Sequence, residues 1–288
     1  MSRCAAGSVD GTSLVTPGFH WTTFDVTSLL PGDWQQEVAA AAAEAEFRDY
    51  PRTPVLSREA AAVHHISRGR LHAGDLRRSL PWLYKYYRDL FLDLAREVCP
   101  EPVMAADDDR YSIVLNIQRG TTMRFECHVD SNPLTGLLFC TDHRAGAGGE
   151  LVFAHDLAAA DIGAVERGCS AIRPHAGHLI FFDGRHRPHY VRPLTSESDL
   201  RIVAVMNFYT QSCPESTRPP QLNRRLFREA LIPGRVFSRG DAGPRCHGRC
   251  ATDGRAAEDG IAVVEHRGLA HGHAARRVVQ PDAHGLAV

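Results

Sequence analysis

The spacing of hydrophobic and polar positions changes once along the chain, near residue 105. Before that point, WQQEVAAAAAEAEFR (34–48) consists mostly of strong helix formers, and SLPWLYKYYRDLFLDLAREV (79–98) repeats apolar residues at intervals of three and four. In the second segment Ser79 can cap a helix, and Pro81 stands in its first turn, where a missing N–H costs no hydrogen bond. The pattern therefore predicts two helices before residue 105.

From residue 111 onward, short runs rich in Val, Ile, Phe and Leu are separated by turn-forming Gly, Asn, Asp and Pro. The runs are YSIVLNIQ, RFECHVD, TGLLFCT, GELVFA, CSAIRP, GHLIFFD, HYVRPL and LRIVAVMNFYT, and a helical insertion is expected around 156–166. About eight strands behind a helical segment predict a mainly β fold, a double-stranded β-helix or jelly roll of the cupin type.

Composition along the chain sets the expected domain boundaries. Residues 1–20 are rich in Gly, Ser and Thr, and residues 238–288 are dominated by Gly, Ala, Arg and His without apolar periodicity, which predicts disorder at both ends. Between them we expect one domain, 21–237. It comprises a helical preface (21–105), a jelly-roll core (106–212) and a closing helix (221–231).

The overall charge narrows the class of partner. The 33 basic and 34 acidic side chains give a formal charge of -1, so no global field attracts nucleic acid or anionic lipid. No run approaches the roughly 20 apolar residues of a membrane span, and MSRCAAGSVDG lacks the apolar core of a signal peptide. We therefore expect a cytoplasmic protein that acts on a small molecule.

The eight cysteines do not resemble a disulfide framework, because several stand inside apolar runs, and buried free thiols are expected. Cys246 and Cys250 in CHGRC have the spacing of half a zinc site, but no second ligand pair follows.

A metal site is indicated by His128 and Asp130. Side chains alternate along a strand, so positions 128 and 130 face the same side. With 16 histidines, about one His-x-Asp is expected by chance, and the pair alone does not exclude an exposed ion pair on a surface strand. His189 is the best third ligand, and two imidazoles and a carboxylate on one face of iron(II) would leave three positions open.

Arg201 supports the same hypothesis. It stands at the start of the apolar run LRIVAVMNFY, where a guanidinium would be buried and would need a carboxylate. The distal carboxylate of 2-oxoglutarate is a suitable bidentate partner, and the planar fork of arginine selects it better than lysine would.

Together, His-x-Asp, GGEL (148–151), AGHLIFFDGRHRPHYVRPL and a basic residue on the next strand resemble the 2-oxoglutarate- and iron-dependent dioxygenase superfamily over residues 111–210. In that family an HxVxPV-like segment supplies the last iron ligand, and here the segment beginning at His189 matches it, with Leu194 for the final Val. The resemblance implies iron(II), 2-oxoglutarate and O2, with His128, Asp130 and His189 as metal ligands and Arg201 as the co-substrate residue.

A finer resemblance concerns the substrate. RFECHVDSNPLTGLLFCTDH and VAVMNFYT are similar to the branch that acts on free amino acids, which includes lysine hydroxylases and radical halogenases. The halogenases replace the carboxylate ligand by a small residue, whereas this chain keeps Asp130. The resemblance therefore implies hydroxylation of an amino acid, lysine-like, rather than chlorination.

The substrate residues are less well defined by the sequence. Arg124, like Arg68 and Arg70, is a candidate for binding a substrate carboxylate, although each also fits a solvated surface arginine. Ser131 and Asn132 follow the ligand strand, but SNP is also an ordinary turn. Asn207, a polar residue in an apolar strand, needs a partner that is either ligand or backbone.

Two alternatives stay open from the sequence alone. One is a hydroxylase of peptidyl or carrier-tethered residues, similar to prolyl hydroxylases. The helical preface argues against it, because that segment is long enough to cover a small closed pocket. The other is a non-catalytic binding module of cupin type, which the intact ligand set argues against.

Overall fold

Two antiparallel sheets face each other in the computed structural model of the chain, which describes residues 21–51, 55–59, 65–222, 263–265 and 276–278. The helices are α1 (Trp34–Ala43), α2 (Ala73–Ser79), α3 (Pro81–Arg88), α4 (Leu90–Val98), α5 (Asp109–Ser112) and α6 (Ile162–Glu166). The strands are β1 (Trp21–Asp25), β2 (Phe47–Pro51), β3 (His65–His72), β4 (Val103–Ala105), β5 (Ile113–Arg119), β6 (Phe125–His128), β7 (Leu134–Phe139), β8 (Leu151–Ala154), β9 (Cys169–Ile172), β10 (His178–Phe182), β11 (His189–Val191), β12 (Leu200–Thr210), β13 (Val263–Glu265) and β14 (Arg276–Val278).

The strand order defines the fold. The larger sheet runs β13-β14-β1-β10-β7-β12-β5-β3-β2, with β4 also paired to β12, and the smaller sheet runs β6-β11-β8-β9. Strands β5 to β12 correspond to the eight apolar runs of the sequence. Four of them, β5, β7, β10 and β12, lie in the larger sheet, and the other four form the smaller one. This is a double-stranded β-helix, and the predicted fold class is confirmed.

Alternation along the strands divides the core in two. Residues such as Leu137, Phe139 and Val203 point between the sheets and pack against residues of the smaller sheet such as Phe153. Their neighbours along the chain, such as Leu138, point to the opposite face and pack against helices α1 to α4. The larger sheet is therefore buried on both faces, which explains why its strands read as continuous apolar runs.

The helices depart from their predicted limits for reasons of packing. Helix α1 ends at Ala43, before the predicted limit, because residues 47–51 pair with β3 instead. The helix expected at 79–98 is divided into α3 and α4 at Asp89, where φ is -114° and ψ is -90°. A straight helix of that length would span about 30 Å. The break lets buried side chains of both halves reach the twisted sheet.

The region expected to be a helical preface (21–105) also contains β1 to β4, which is a correction to the sequence interpretation. Strand β1 pairs with β10, β3 with β5, and β4 with β12, so these strands extend the larger sheet beyond the jelly-roll core. In the tail expected to be disordered (238–288), β14 pairs with β1 and β13 with β14. Backbone pairing with exposed sheet edges accounts for these strands.

Several expectations lie outside the described residues: the disorder of residues 1–20, most of the closing helix at 221–231, and the cysteine pair at 246 and 250. Within the described part of the chain, the cysteines at 99, 127, 140, 169 and 213 are free thiols, and all except Cys169 are buried. No helix among these residues is both long enough and apolar enough to cross a membrane.

Tyr87 provides a test of how the helices are held to the sheet. Its buried hydroxyl donates to the Asn207 carbonyl at 2.8 Å and accepts from the Ala106 N–H at 2.7 Å. Tyr87→Phe leaves both backbone groups without a partner, so it should lower the free energy of unfolding by roughly 1 to 3 kcal/mol in urea titrations. Tyr84→Phe is the matched control, because its hydroxyl accepts from Arg77 and donates to Asp109, both of which are solvent-exposed, so water can replace it. Equal effects of the two variants would contradict this role.

Candidate metal centre and co-substrate cavity

Three predicted ligands meet at one end of the space between the sheets. Strands β6 and β11 pair with His128 opposite His189, so both imidazoles project from adjacent strands. Strand β6 ends at His128, and Asp130 lies just beyond it, where its N–H donates to the Gly184 carbonyl at 2.9 Å. One ligand atom from each of the three residues lies within 4.8 Å of the others. His128 and Asp130 were expected on one strand, but only His128 is in the strand, and Asp130 lies in the segment that follows it.

The orientation of both imidazoles is set by backbone carbonyls. Nδ1 of His128 lies 2.6 Å from the carbonyl oxygen of Glu126, and Nδ1 of His189 lies 2.9 Å from that of Arg187. Because a carbonyl only accepts, each Nδ1 carries the proton and donates it. Nε2 of each ring is then left with a lone pair. These Nε2 atoms lie 3.5 and 3.7 Å from Oδ1 of Asp130, on the side where the three residues converge.

Two of the three residues have protonation states that suit metal binding near neutral pH. For His128, burial disfavours the imidazolium, but the contacts with Asp130 and Glu126 outweigh burial and raise the pKa, so this ring must lose a proton when a metal binds. Burial lowers the pKa of His189 to about 4, because the charged imidazolium is poorly solvated between the sheets. Burial would raise the pKa of Asp130, but the neighbouring imidazoles and the Thr135 hydroxyl outweigh it and hold that pKa at about 2. His189 is therefore neutral and Asp130 ionised, which are the forms that coordinate a cation.

A cavity connects these three residues with Arg201. Its wall includes the three ligand candidates, Arg201 and Asn116, and is otherwise mostly apolar. Residues 201, 203 and 205 of β12 all line it, as alternation along a strand requires. Arg201 is thus placed on the same inner surface as the metal-ligand candidates.

Arg201 is 1% exposed, and no carboxylate in the described part of the chain forms an ion pair with it. Its Nε–H donates to the Gly149 carbonyl at 2.8 Å, and within the described part of the chain its two amino groups have no hydrogen-bond or ion-pair partner. Burial lowers the pKa of Arg201 to about 10, so the guanidinium stays protonated at neutral pH. A buried cation whose amino groups lie beside a cavity is chemically suited to an anion.

The GGEL segment explains how this arginine is accommodated. Gly148 and Gly149 have φ of 77° and 78°, a region that other residues rarely adopt. A Cβ at Gly148 would lie 2.1 Å from the carbonyl oxygen of Pro193, and one at Gly149 would lie 3.1 Å from Cδ of Arg201. The two glycines let the backbone approach closely enough for the Gly149 carbonyl to accept from Arg201.

The predicted substrate residues have different surroundings. Asn132 is buried and donates from Nδ2 to the Thr135 hydroxyl and to the Leu134 carbonyl, both at 2.8 Å. Ser131 accepts a hydrogen bond at its backbone carbonyl from Arg185 at 2.9 Å. Asn207 donates its side-chain N–H to the Tyr111 carbonyl, so backbone satisfies this amide. None of these three residues lines the cavity, but Asn132 donates to Thr135, which does.

Arg124 is not among the residues that line the cavity, and its role as a substrate residue stays a prediction. Its guanidinium forms two hydrogen bonds with Glu59, at 2.6 and 2.7 Å, and the Glu59 side chain is only 5% exposed. Glu59 also accepts from the Cys127 N–H at 2.6 Å. This ion pair therefore anchors the segment 55–59 beside β6. The sequence could not indicate it, because the partner lies 65 residues away.

Two cavity residues were missed by the sequence interpretation. Asn116 is 6% exposed and accepts at Oδ1 from Nε of Arg70 at 3.0 Å. Thr135 donates from its hydroxyl to Oδ2 of Asp130 at 2.6 Å. A signal for Asn116 was present, because it interrupts the apolar run IVLNI just as Asn207 interrupts VAVMNFY. Threonine is common in strands, so Thr135 gave no comparable signal.

No protein-family model and no curated protein sequence matches the chain. Solved structures match in fold. The non-heme alpha-ketoglutarate-dependent carbocyclase SnoK from nogalamycin biosynthesis has a TM-score of 0.51 at 14% identity, covering 77% of this chain and 90% of that chain. The epimerase SnoN, in complex with Fe3+, alpha-ketoglutarate and nogalamycin RO, has a TM-score of 0.51 at 12% identity over 76% and 88%. AviO1 from Streptomyces viridochromogenes Tue57 has a TM-score of 0.50 at 13% identity over 70% and 94%.

This chain therefore has the double-stranded β-helix fold found in non-heme iron and 2-oxoglutarate-dependent oxygenases. The similarity concerns the fold. The closer resemblance to enzymes of free amino acids stays a prediction.

Arg124 provides a test of whether its pairing with Glu59 is structural. Arg124→Ala leaves the buried Glu59 carboxylate without its charged partner, so it should lower the free energy of unfolding by roughly 1.5 to 3 kcal/mol in chemical denaturation. Arg78→Ala is the matched control, because the Arg78–Asp75 pair is solvent-exposed and its loss should change stability much less. Unchanged stability together with a weakened substrate affinity would support the substrate role instead.

Proposed function

We propose that this chain is an iron(II)- and 2-oxoglutarate-dependent oxygenase that hydroxylates an unactivated C–H bond of a small substrate. The observation that carries the proposal is one cavity that joins three metal-ligand side chains to a buried arginine. His128, Asp130 and His189 would hold the iron, and Arg201 would bind the distal carboxylate of 2-oxoglutarate. Bound together, iron(II), 2-oxoglutarate and O2 supply the oxidation of a C–H bond, with succinate and carbon dioxide as co-products.

The ligand set suits iron(II) in an open site. Two imidazoles and one carboxylate occupy one face of an octahedron and leave three positions for other ligands. One negative charge against the two positive charges of the ion leaves a net positive centre, which favours an anionic co-substrate. The backbone carbonyls on Nδ1 of both histidines fix the rings with Nε2 toward the ion, as outer partners of metal-bound histidines commonly do.

The cavity wall around Arg201 suits a dicarboxylate. The guanidinium is held at Nε by Gly149, so its two amino groups remain for a bidentate contact. The apolar side chains of Val203 and Leu137 line the same cavity and can pack against the methylene groups of 2-oxoglutarate. A non-catalytic cupin-type module gives no physical reason to keep such a guanidinium buried, because burial without an anion is costly.

For the substrate, we propose a free amino acid, lysine-like as the sequence resemblance implies. The support in the structure is the contact between Arg70 and Asn116. Because Arg70 Nε donates to Asn116 Oδ1, the Asn116 amide nitrogen is the group left to donate within the cavity. An amide donor in the cavity suits a free α-carboxylate, which a free amino acid has and a residue within a peptide lacks.

A peptidyl or carrier-tethered substrate remains the alternative that the substrate screen must exclude. The length of the helical preface was expected to cover the pocket. However, the buried residues of α1 to α4 pack on the outer face of the larger sheet, so these helices do not decide between a closed pocket and an open groove.

Anaerobic titration tests the metal and co-substrate assignments. Addition of iron(II) and then 2-oxoglutarate to the wild-type protein should produce a visible metal-to-ligand charge-transfer band, and Asp130→Ala should lose it because one ligand is gone. Arg201→Ala should still develop the band, but at roughly 10- to 150-fold higher 2-oxoglutarate, since it loses a charge-assisted contact worth about 1.5 to 3 kcal/mol.

Arg201→Lys is the matched control for the fork geometry, because it keeps the charge but not the bidentate donors. It should fall between wild type and Arg201→Ala. A colourless wild-type protein would rule out the oxygenase and favour a binding module.

A mass-spectrometric screen tests the substrate assignment. Free amino acids should gain one oxygen atom, and Asn116→Ala should raise the KM for the amino acid more than it lowers kcat, because it removes ground-state binding. Turnover of a peptidyl or tethered residue without turnover of any free amino acid would overturn this part of the proposal and leave the oxygenase assignment intact.

A further inference from the structure

The Asp130 carboxylate is held on one side by two consecutive hydrogen bonds. Thr135 donates from its hydroxyl to Oδ2 of Asp130 at 2.6 Å, and Asn132 donates from Nδ2 to that hydroxyl at 2.8 Å. Both Thr135 and Asn132 are 2% exposed, so water does not compete for these contacts. Oδ1 of the same carboxylate is the oxygen nearer to the two imidazoles.

Chemistry fixes the direction of each bond in this chain. An ionised carboxylate only accepts, so the single hydroxyl proton of Thr135 points to Asp130. The Thr135 oxygen must then accept from Asn132. The Asn132 amide cannot be turned over, because its nitrogen also donates to the Leu134 carbonyl at 2.8 Å.

Gly184 confines the carboxylate further. A Cβ at Gly184 would lie 2.0 Å from Oδ2 of Asp130, so no larger residue fits there without displacing the carboxylate. The backbone is also tied, because the Asp130 N–H donates to the Gly184 carbonyl at 2.9 Å. Oδ2 is thus held between the Thr135 hydroxyl and the Gly184 backbone.

We propose that Thr135 and Asn132 are positioning residues that make Asp130 a one-oxygen ligand, with Oδ1 toward the metal and Oδ2 withheld from it. The inference rests on the metal-ligand role of Asp130 in the proposed function. Its consequence is an open coordination sphere, because a carboxylate that binds through both oxygens takes a position that the co-substrate or O2 needs.

Cobalt(II) in the absence of 2-oxoglutarate is the probe, because its visible spectrum reports coordination number independently of turnover. Thr135→Val removes the hydroxyl at nearly constant volume. It should weaken cobalt affinity by roughly 10- to 100-fold in competition with a chelator, as loss of an outer partner commonly does, and should change the visible spectrum. Thr135→Ser keeps the hydroxyl and should restore both.

Energetic coupling between Thr135 and Asn132 tests whether Asn132 acts on Asp130 through the Thr135 hydroxyl. Asn132→Ala should weaken cobalt binding in the wild-type background and have no further effect beside Thr135→Val, because it acts through the hydroxyl. Thr22→Val is the matched control. Thr22 is also a buried strand threonine, but its hydroxyl has no hydrogen-bond partner in the described part of the chain, so cobalt binding should not change.

The outcomes separate this inference from the proposed function. If a folded Thr135→Val variant has the same cobalt affinity and spectrum as the wild-type protein, the positioning role is overturned, but the proposed metal site is not. Failure of the wild-type protein to bind cobalt or iron overturns both. If Thr135→Val does not fold, Asn132→Ala decides the question: a changed spectrum supports the role, and an unchanged spectrum overturns it.

Discussion

A protonated guanidinium enclosed between two apolar sheets is the constraint on which the candidate site depends. Placing a charge in such surroundings costs several kcal/mol unless an anion balances it. Arg201 has one carbonyl partner, from Gly149, and that contact requires two successive glycines in left-handed backbone conformations. A position on β12 and the turn at Gly148 and Gly149 together hold the Arg201 guanidinium beside the cavity. An anionic ligand gives that arrangement a physical reason.

The jelly roll sets the distance between this cation and the metal-ligand candidates. Strand β12 carries Arg201 on its inner face, and the paired strands β6 and β11 present the imidazoles from the opposite sheet. Both groups point inward because side chains alternate, and both sheets are held by apolar packing that includes Phe139 and Phe153. A change in register by one residue would turn Arg201 toward the helices, so sheet packing and site geometry depend on the same pairing.

Much of this arrangement could be predicted from local patterns. The eight apolar runs marked the eight core strands, because strand periodicity and turn residues are encoded within a few neighbouring positions. Strands β1 to β4 were not predicted, since they are stabilised by pairing with distant strands and carry weaker local signals. The ion pair between Arg124 and Glu59 could not be predicted, because Glu59 comes from a segment that the pattern did not place.

The residue types of the candidate site could be read directly from the chain: a His-x-Asp pair, a later histidine, a glycine pair and an arginine near the start of an apolar strand. The tertiary structure alone decided which polar groups surround them. It placed Thr135 against Asp130, and Asn116 between Arg70 and the cavity. The physical reason is that side-chain periodicity is a local property, whereas hydrogen-bond partners depend on strand register and on loops that meet only after the two sheets pack.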